Sequence, residues 1–337
     1  MHRAFAPLRA AACGATLAHV GSSGGEPAEC LRSTTGKADG STLPVRTVPE
    51  TNLLFGIPKK GRLHDKIIAL LKGAGIEYTR KARLDIAHCT ELPVSLVFLP
   101  AADIATYVGE GDVDMGITGE DIVAESEVQV DALMKLGMGK CRLCVQAPVA
   151  ASYSSAESLA GKRIVTSFPN LSRRYFEARE KDDHQTKIKC ISGSVEAACG
   201  LGLADGIVDL VETGTTMRAA GLCEVATIME TETVLIANPK SAHPKLIETI
   251  RKRIAGYQTA SRYFLVTYNV KVVDLPKAKL ITPGKTSPSI APLEDKAWVA
   301  VSSLVLKKKA AQKMDDLEAA GATDILCTAL CSSRMGD

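Results

Sequence analysis

From residue 51 onward, short apolar runs alternate with stretches in which apolar residues recur every three or four positions. The first run, LLFGI at 53–57, predicts a buried strand, and it precedes a helical face formed by Leu63, Ile67, Leu70 and Leu71. Similar apolar runs return at 94–99, 113–119, 162–168 and 206–212. Alternating strands and helices favour a largely parallel sheet, and the second series, from 162 onward, predicts a second α/β lobe.

The pattern changes after Glu224. VATIMETETVLIANP, at 225–239, predicts two paired strands, and residues 245–337 follow the order helix, strand, strand, helix, strand. This βαββαβ-like tail has the size of a small regulatory domain. The predicted division is an extension at 1–50, a first lobe at 51–144 and 223–240, a second lobe at 145–222, and a tail domain at 241–337.

The first fifty residues differ in composition from the remainder. They are rich in Ala, Gly and Ser, contain Arg3 and Arg9, and have no acidic residue before Glu26. This composition is typical of a transit peptide, although a short signal-peptide core, a mis-assigned start or a plain disordered tail are open alternatives. We expect a cytoplasmic protein, or one in an organelle (plastid or mitochondrion) if residues 1–50 are a transit peptide.

Composition narrows the possible partners. The chain carries 41 Lys+Arg and 38 Asp+Glu, and a net charge of +3 gives no support to a general nucleic-acid surface. No apolar run approaches the roughly 18–20 residues needed to cross a bilayer, so no membrane partner is expected. The pair Cys141 and Cys144 has disulfide or zinc spacing, but it lies in a strand-like segment where positions three apart face opposite sides. We therefore predict free thiols.

The stretch DLVETGTTM, at 209–217, is the strongest chemical signal. Its Thr-Gly-Thr-Thr segment falls between a predicted strand and a predicted helix, where free backbone N–H groups, a glycine and hydroxyl groups suit a phosphate. A threonine N-cap on an ordinary helix is the alternative. Two further loops follow predicted strands: PKKGR at 58–62, which suits a polyphosphate or is a solvated basic turn, and TGED at 118–121.

These residues carry a family resemblance. The run GSVEAACGLGLADGIVDLVETGTTMRAAGL, at 193–222, resembles the signature of the ATP phosphoribosyltransferase family. PKKGRL, GDVDMGITGED, GKRIVTSFPNLSRRYF and TPGKTSPSIAPL strengthen the match, which extends from Asn52 to about Arg334. The tail domain makes the chain similar to the long form of that family.

The resemblance implies an α/β fold: a two-lobed catalytic core like type II periplasmic binding proteins, followed by a ferredoxin-like (ACT-like) α+β regulatory domain. It implies a transferase of amino-acid biosynthesis, a pentosyltransferase that condenses ATP with phosphoribosyl pyrophosphate to N1-(5-phosphoribosyl)-ATP and pyrophosphate. This reaction opens histidine biosynthesis and is inhibited by histidine. A homo-oligomer, dimer or hexamer, is also implied, with Mg²⁺ carried on pyrophosphate oxygens and without direct protein ligands.

The resemblance also assigns substrate-binding residues. For phosphoribosyl pyrophosphate they are Asp209 and Glu212 on the ribose hydroxyls and Thr213, Gly214, Thr215 and Thr216 around the 5-phosphate. For ATP or the departing pyrophosphate they are Lys59, Arg62, Arg173 and Arg174. Surface salt bridging on a helix is the alternative for either of the last two.

A general base and a regulatory site remain open on the residues alone. Glu120, Asp121 and Glu196 are base candidates, and Glu196 also fits a helix N-terminal acid. The loop at 282–289 offers Thr282, Thr286, Ser287 and Ser289 to histidine, or it only connects strands. A two-lobed small-solute-binding protein without catalysis is the competing function, since one fold serves both classes. That protein would have no use for a TGTT turn beside acidic residues.

Overall fold

The computed structural model describes residues 49, 51–80, 84–151, 153–180 and 184–334. The chain divides into two units, 1–47 and 48–337, and the account that follows concerns the second. The extension predicted for 1–50, and with it the prediction of cellular location, lies outside the described residues apart from Pro49.

Within the described ranges the second unit forms sixteen strands. In chain order they are β1 Leu53–Pro58, β2 Tyr78–Thr79, β3 Ile86–Cys89, β4 Val94–Leu99, β5 Met115–Gly119, β6 Asp131–Lys135, β7 Cys141–Pro148, β8 Arg163–Thr166, β9 Lys187–Cys190, β10 Gly206–Val211, β11 Leu222–Thr231, β12 Thr233–Ala237, β13 Tyr263–Lys271, β14 Ser289–Pro292, β15 Trp298–Leu306 and β16 Thr323–Ala329.

The same ranges contain nine α-helices. They are α1 His64–Gly73, α2 Ile104–Glu110, α3 Glu120–Ser126, α4 Pro169–Glu177, α5 Ala197–Gly200, α6 Thr215–Ala219, α7 Pro244–Arg262, α8 Leu275–Ile281 and α9 Ala310–Ala319. In α1, Ile67, Leu70 and Leu71 are buried as their spacing predicts, and they cover the fully buried β1 side chains of Leu53 and Phe55.

The first lobe is built on a seven-stranded sheet in the order β2-β3-β4-β1-β5-β12-β6. Strand β1 runs parallel to β4 and β5, and β12 runs antiparallel to both of its neighbours, β5 and β6. The second lobe is built on a five-stranded sheet in the order β11-β7-β10-β8-β9. Its strand β10 is parallel to β8, and β7 is antiparallel to β10 and to β11. The two predicted α/β lobes are therefore present, but both sheets are mixed, so the prediction of a largely parallel sheet is wrong.

Two short segments connect the lobes, and the second differs from the predicted pairing. Residues 136–140 lead from β6 in the first sheet to β7 in the second, and Glu232 alone separates β11 in the second sheet from β12 in the first. The predicted pairing of the two strands at 225–239 is thus wrong, because the chain passes from one sheet to the other through a single residue, without the turn that would pair the two strands. Strand β11 belongs with the second lobe, whereas the predicted division assigned residues 223–240 to the first.

The tail domain has the predicted βαββαβ order, beginning with β13 at Tyr263. The sequence pattern did not predict helix α8, and it predicted three strands where the structure has four. Its sheet has the order β14-β15-β13-β16, and every pairing in it is antiparallel. Residues alternate along β13, so that Val266, Tyr268 and Val270 are buried in a core of this domain.

Helix α7 belongs to the first lobe, although the predicted division placed it in the tail. Its residues Ile247, Ile250 and Ile254 share one hydrophobic core with α1 and β1, and Ile250 and Ile254 are fully buried. The start of the tail domain therefore lies near Tyr263 rather than at 241. No helix among the described residues is long and apolar enough to cross a membrane.

The packing of α7 predicts where the tail can be removed. A chain that ends at residue 262 should keep a folded core, whereas a chain that ends at 244 should melt far lower or fail to fold. Each buried isoleucine contributes about 1.5–3 kcal/mol, against a total stability of about 5–15 kcal/mol for a typical protein. Thermal unfolding followed by circular dichroism compares the two. Equal melting temperatures would contradict this role of α7.

Candidate active site

A cavity of about 240 Å³ lies between the two lobes, and we call it the interlobe cavity. Its walls come from the carboxyl ends of β1 and β5, from the end of β10 and from both connecting segments. The lining residues are Pro58, Lys60, Gly61, Arg62, Leu63, Ile67, Ala101, Thr118, Gly119, Asp121, Ile122, Gly139, Cys141, Phe168, Leu210, Glu232 and Thr233. Ligands in α/β folds bind beyond the carboxyl ends of strands, which is where this cavity opens.

A second, charged pocket of about 280 Å³ adjoins the cavity and shares Cys141 and Glu232 with it. Its other lining residues are mostly ionic: Glu120, Lys135, Lys140, Arg142, Glu212, Glu230 and Thr231. Lys135 lies between two carboxylates, with Nζ–O distances of 2.8 Å to Glu120 and 3.7 Å to Glu232. The charges in this pocket are therefore largely balanced by one another.

The basic loop that follows β1 turns at Gly61, whose φ of +101° favours glycine. His64 Nδ1 lies 2.7 Å from the Pro58 carbonyl oxygen and closes the loop. Lys60 and Arg62 line the interlobe cavity. The predicted Lys59 does not, because its ammonium group donates to Asp85 Oδ2 at 2.7 Å.

One ion pair joins the lobes at the mouth of the cavity. The Arg62 guanidinium of the first lobe pairs with the carboxylate of Glu212, which directly follows β10 in the second. Both side chains are about half exposed, at 51% and 43%, so solvent screens the pair and it can exchange for other partners. Arg62 also reaches Cys141, with an Nη2–Sγ distance of 3.8 Å.

The Thr-Gly-Thr-Thr segment forms the predicted strand-to-helix turn between β10 and α6. Gly214 is the N-cap of α6 with φ of +73°, and no side chain caps the helix, so the threonine N-cap alternative is wrong. The hydroxyls of Thr213 and Thr215 lie 3.0 Å apart on the exposed side of the turn. Arg218, which the sequence reasoning missed, donates to the Thr213 carbonyl oxygen at 3.2 Å.

Asp209 lies on β10, four residues before the turn begins at Thr213, and its carboxylate is half-buried. Burial raises the pKa of Asp209, the negative charge of Glu196 raises it further, and the backbone N–H of Leu210 and the Arg62 guanidinium oppose the shift. The Leu210 N–H donates to Asp209 Oδ1 at 2.8 Å. The fold therefore holds a carboxylate in a position that disfavours its charge, as functional sites commonly do.

Comparison with known proteins decides the family. A model of ATP phosphoribosyltransferase (HisG) matches residues 100–256, and a model of the HisG C-terminal domain matches 260–332. The ATP phosphoribosyltransferase of Kluyveromyces lactis is 50% identical over 288 residues, which cover 84% of this chain and 97% of that protein. The chain belongs to the ATP phosphoribosyltransferase family. The Saccharomyces cerevisiae enzyme has the same identity and coverage.

A solved structure agrees with this membership of the ATP phosphoribosyltransferase family. It is the ATP phosphoribosyl transferase (HisG:HisZ) complex from Thermotoga maritima, 29% identical, with a TM-score of 0.52. The match covers 60% of this chain and 98% of that one.

In this member of the ATP phosphoribosyltransferase family, the three candidate bases lie in different surroundings. Glu120 faces the charged pocket, where it accepts from Lys135 and, at 3.3 Å, from the Glu232 N–H. Asp121 is buried in the wall of the interlobe cavity and accepts from Thr231 Oγ1 at 2.7 Å. Glu196 lies in the second lobe as the N-cap residue of α5 and makes no capping hydrogen bond through its side chain.

Arg173 and Arg174 lie outside the lining of both the cavity and the charged pocket. Arg174 donates to the Ala124 carbonyl oxygen at 2.9 Å and pairs with Glu127 at 3.3 Å, so it joins α4 to α3 across the lobes. Arg173 is exposed on α4. For Arg174 the structure thus contains the surface salt bridge that was the alternative.

Several lining residues were not assigned a role from the sequence, among them Phe168, Leu210 and Glu232, and Lys60 was included only as a member of the basic loop. For Lys60 the signal was present in PKKGR, but adjacent lysines could not be told apart without the turn geometry. Phe168 and Leu210 were part of predicted strand ends. Nothing in the local sequence marks Glu232, because its position depends on the crossing between the sheets.

Two aspartates give opposite predictions for stability. Asp209→Asn should raise the melting temperature at pH 7.5. Burial raises the pKa of Asp209 and so disfavours its charged form in the folded chain, and asparagine removes that charge. That gain should shrink as the pH falls through the raised pKa, where wild-type Asp209 takes up a proton. The same variant should lose phosphoribosyl transfer.

Asp205→Asn is the matched control. Arg163 hydrogen bonds lower the pKa of Asp205 to about 2, so its charge stabilises the fold above the unfolded pKa and that stability is lost as the pH falls toward 2. This variant should melt lower at pH 7.5. Thermal melts of both variants from pH 4 to 8 decide the matter, and a lower melting temperature for Asp209→Asn at pH 7.5 would contradict the burial argument.

Proposed function

We propose that the interlobe cavity and the adjoining Thr-Gly-Thr-Thr turn bind ATP and phosphoribosyl pyrophosphate and condense them to N1-(5-phosphoribosyl)-ATP and pyrophosphate. This is the first step of histidine biosynthesis. The observation that carries the proposal is the meeting of a basic loop from one lobe with a phosphate-binding type of turn from the other. The ion pair between Arg62 and Glu212 joins them.

Phosphoribosyl pyrophosphate belongs on the second lobe in this proposal. The amides and exposed hydroxyls at 213–216 surround the 5-phosphate, since Gly214 lets the backbone approach closely. Asp209 and Glu212 accept hydrogen bonds from the two ribose hydroxyls, which are neutral donors that suit carboxylate acceptors. The anomeric carbon then points toward the cavity.

The first lobe supplies positive charge for the leaving group. Lys60 and Arg62 contact the pyrophosphate or the ATP phosphates, and Arg62 exchanges its partner Glu212 for them when substrate enters. Negative charge grows on pyrophosphate as the bond to the sugar breaks, so cations held in a partly dry cleft stabilise that charge. Lys59 and Arg174, each paired elsewhere, have no direct part.

Adenine N1 carries a lone pair at neutral pH, so the nucleophile needs no strong base. As N1 bonds to the sugar, a carboxylate can accept a proton from the exocyclic amine. Of the three candidates, Asp121 is the one that lines the interlobe cavity, and we propose it for this role. Glu120 and its partner Lys135 hold the connecting segments instead.

Mg²⁺ is the proposed metal. Among the described residues no group of three or more His, Cys, Asp or Glu side chains is arranged to hold a metal ion. The proposed ligands of Mg²⁺ are pyrophosphate oxygens of the substrate and water, which are hard donors that Mg²⁺ prefers, without direct protein ligands. When bound, the ion neutralises pyrophosphate charge.

Measurement of pyrophosphate release tests the reaction. The chain should release pyrophosphate only when ATP, phosphoribosyl pyrophosphate and Mg²⁺ are all present, and chelation should stop it. Arg62→Ala should lower kcat/KM by about 10- to 100-fold, because charged hydrogen bonds contribute about 1.5–3 kcal/mol. Lys59→Ala is the matched control with little effect. Release of pyrophosphate without phosphoribosyl pyrophosphate would contradict the proposal.

The alternative function, a non-catalytic solute-binding protein, is not favoured by the curated relatives, which are ATP phosphoribosyltransferases.

We also propose that the two lobes form a core like type II periplasmic binding proteins and that the tail is a ferredoxin-like, ACT-like regulatory domain. In support, the two lobes follow one plan. Each sheet has three neighbouring parallel strands, and next to them lies an antiparallel strand whose chain comes from the other lobe: β12 in the first lobe and β7 in the second. The βαββαβ tail with its antiparallel sheet supports the second part.

Histidine is the proposed inhibitor, and the tail offers it a polar pocket of about 350 Å³. Thr286, Ser287 and Ser289 line it together with Ser302 and neighbouring residues. Thr282 does not, because its hydroxyl is buried against Tyr268 Oη at 2.8 Å. Large apolar side chains exposed on the tail, such as Val273 at 81% and Leu280 at 82%, support a homo-oligomer, dimer or hexamer, as the assembly through which the inhibition acts.

Removal of the tail tests this regulation. Histidine at millimolar concentration should inhibit the full chain, and a chain that ends at residue 262 should retain pyrophosphate release while losing that inhibition. Because the cut falls after α7, the catalytic core stays intact. The control is turnover of both chains without histidine. A full chain indifferent to histidine, or a truncated chain inhibited equally, would contradict the proposal.

A further inference from the structure

Thr233 holds an unusual hydroxyl at the edge of the interlobe cavity. Its side chain is 1% exposed, it lines the cavity, and its Oγ1 has no hydrogen-bond partner among the described residues. Buried hydroxyls are nearly always hydrogen-bonded, since burial without a partner destabilises the fold. A valine of nearly the same shape would avoid that penalty at this strand position.

The surrounding polar groups are already occupied. Thr118 donates its hydroxyl to the Ala101 carbonyl oxygen at 3.0 Å, and Thr231 donates to Asp121 at 2.7 Å. Both backbone groups of Thr233 are used as well: its N–H donates to Met138 O at 3.0 Å, and its C=O accepts from the Leu136 N–H at 2.8 Å. The hydroxyl is therefore left without a local partner by the fold itself.

Gly139 packs closely against this hydroxyl and against Leu63. A Cβ added at Gly139 would lie 2.9 Å from Thr233 Oγ1, and the φ of Gly139 is +66°. Gly139 also lines the cavity. A side chain at position 139 would therefore press on Thr233 Oγ1, whose donor and acceptor are both unused.

The walls of the interlobe cavity indicate which kind of ligand binds in it. Leu63, Ile67 and Phe168 present apolar surface, while the charged groups Lys60 and Arg62 stand on the basic loop. At about 240 Å³ the cavity is smaller than the roughly 300–1,000 Å³ of a site that encloses a whole ligand. It suits one flat ring system with polar edges, with phosphates outside on the basic loop.

We propose that the Thr233 hydroxyl hydrogen-bonds the purine base of ATP in the interlobe cavity and helps to set the specificity for that base. The inference rests on the proposed function, because it takes ATP as the occupant. Since Gly139 lies on one connecting segment and Thr233 directly follows the other, a base bound beside them lies next to both links between the lobes.

Thr233→Val and Thr233→Ser test the assignment through binding of ATP alone. Thr233→Val should raise the melting temperature of the ligand-free chain by about 2 °C, because it removes an unsatisfied hydroxyl. The melting shift that ATP produces should shrink, and KM for ATP should rise about 3- to 10-fold, the effect of one hydrogen bond between neutral groups. KM for phosphoribosyl pyrophosphate should not change. Thr233→Ser, which keeps the hydroxyl, should bind ATP as the wild type does.

Thr118→Val is the matched control from the same cavity. Its hydroxyl is already bonded, so this variant should melt lower than the wild type, the reverse of Thr233→Val. An ATP-induced shift that is unchanged in Thr233→Val overturns the inference, whatever its own melting temperature. Failure of the proposed function is a separate result: it is the absence of pyrophosphate release by the wild type, whereas the ATP shift is measured without turnover.

Discussion

The double crossing between the two sheets is the constraint on which the site depends. Residues 136–140 and Glu232 each carry the chain from one lobe to the other, and hydrogen bonds between Thr233 and residues 136 and 138 tie the two crossings together. Because both crossings lie at the carboxyl ends of the strands, the loops that follow β1, β5 and β10 converge there. A cavity between the lobes follows from that geometry.

Electrostatic balance is the second organising feature of the cleft. Arg62 with Glu212, Lys135 with Glu120 and Glu232, and Arg142 with Glu224 pair opposite charges around the opening. Most of these groups are partly exposed, so each pair contributes little stability and can exchange partners when an anion enters. Asp209 differs, because burial raises its pKa and it stays close to Glu196 and Arg62.

Between α3 and α4 the lobes are joined by hydrogen bonds and an ion pair that lie outside the cavity, so ligand binding does not have to break them. Glu125 of α3 accepts from the backbone N–H groups of Asn170 and Leu171 at 2.8 and 2.9 Å, at the start of α4. Arg174 adds its bonds to Ala124 and Glu127 beside them. A carboxylate at a helix N-terminus is stabilised by the free N–H groups and the helix dipole, so this contact fixes the spacing of the lobes while the cavity side carries exchangeable charges.

The α/β class, the two lobes, the turn at 213–216 and the βαββαβ tail can all be predicted from the amino-acid sequence, because periodicity, glycine positions and apolar runs are properties of neighbouring residues. The sequence did not determine that β11 and β12 enter different sheets, that α7 packs on the first lobe, or that Lys60 rather than Lys59 lines the cavity. It also could not bring Arg62 to Glu212, 150 positions away. These features are set by tertiary contacts. Contacts between distant segments depend on which surfaces are buried together, and no local sequence pattern specifies that.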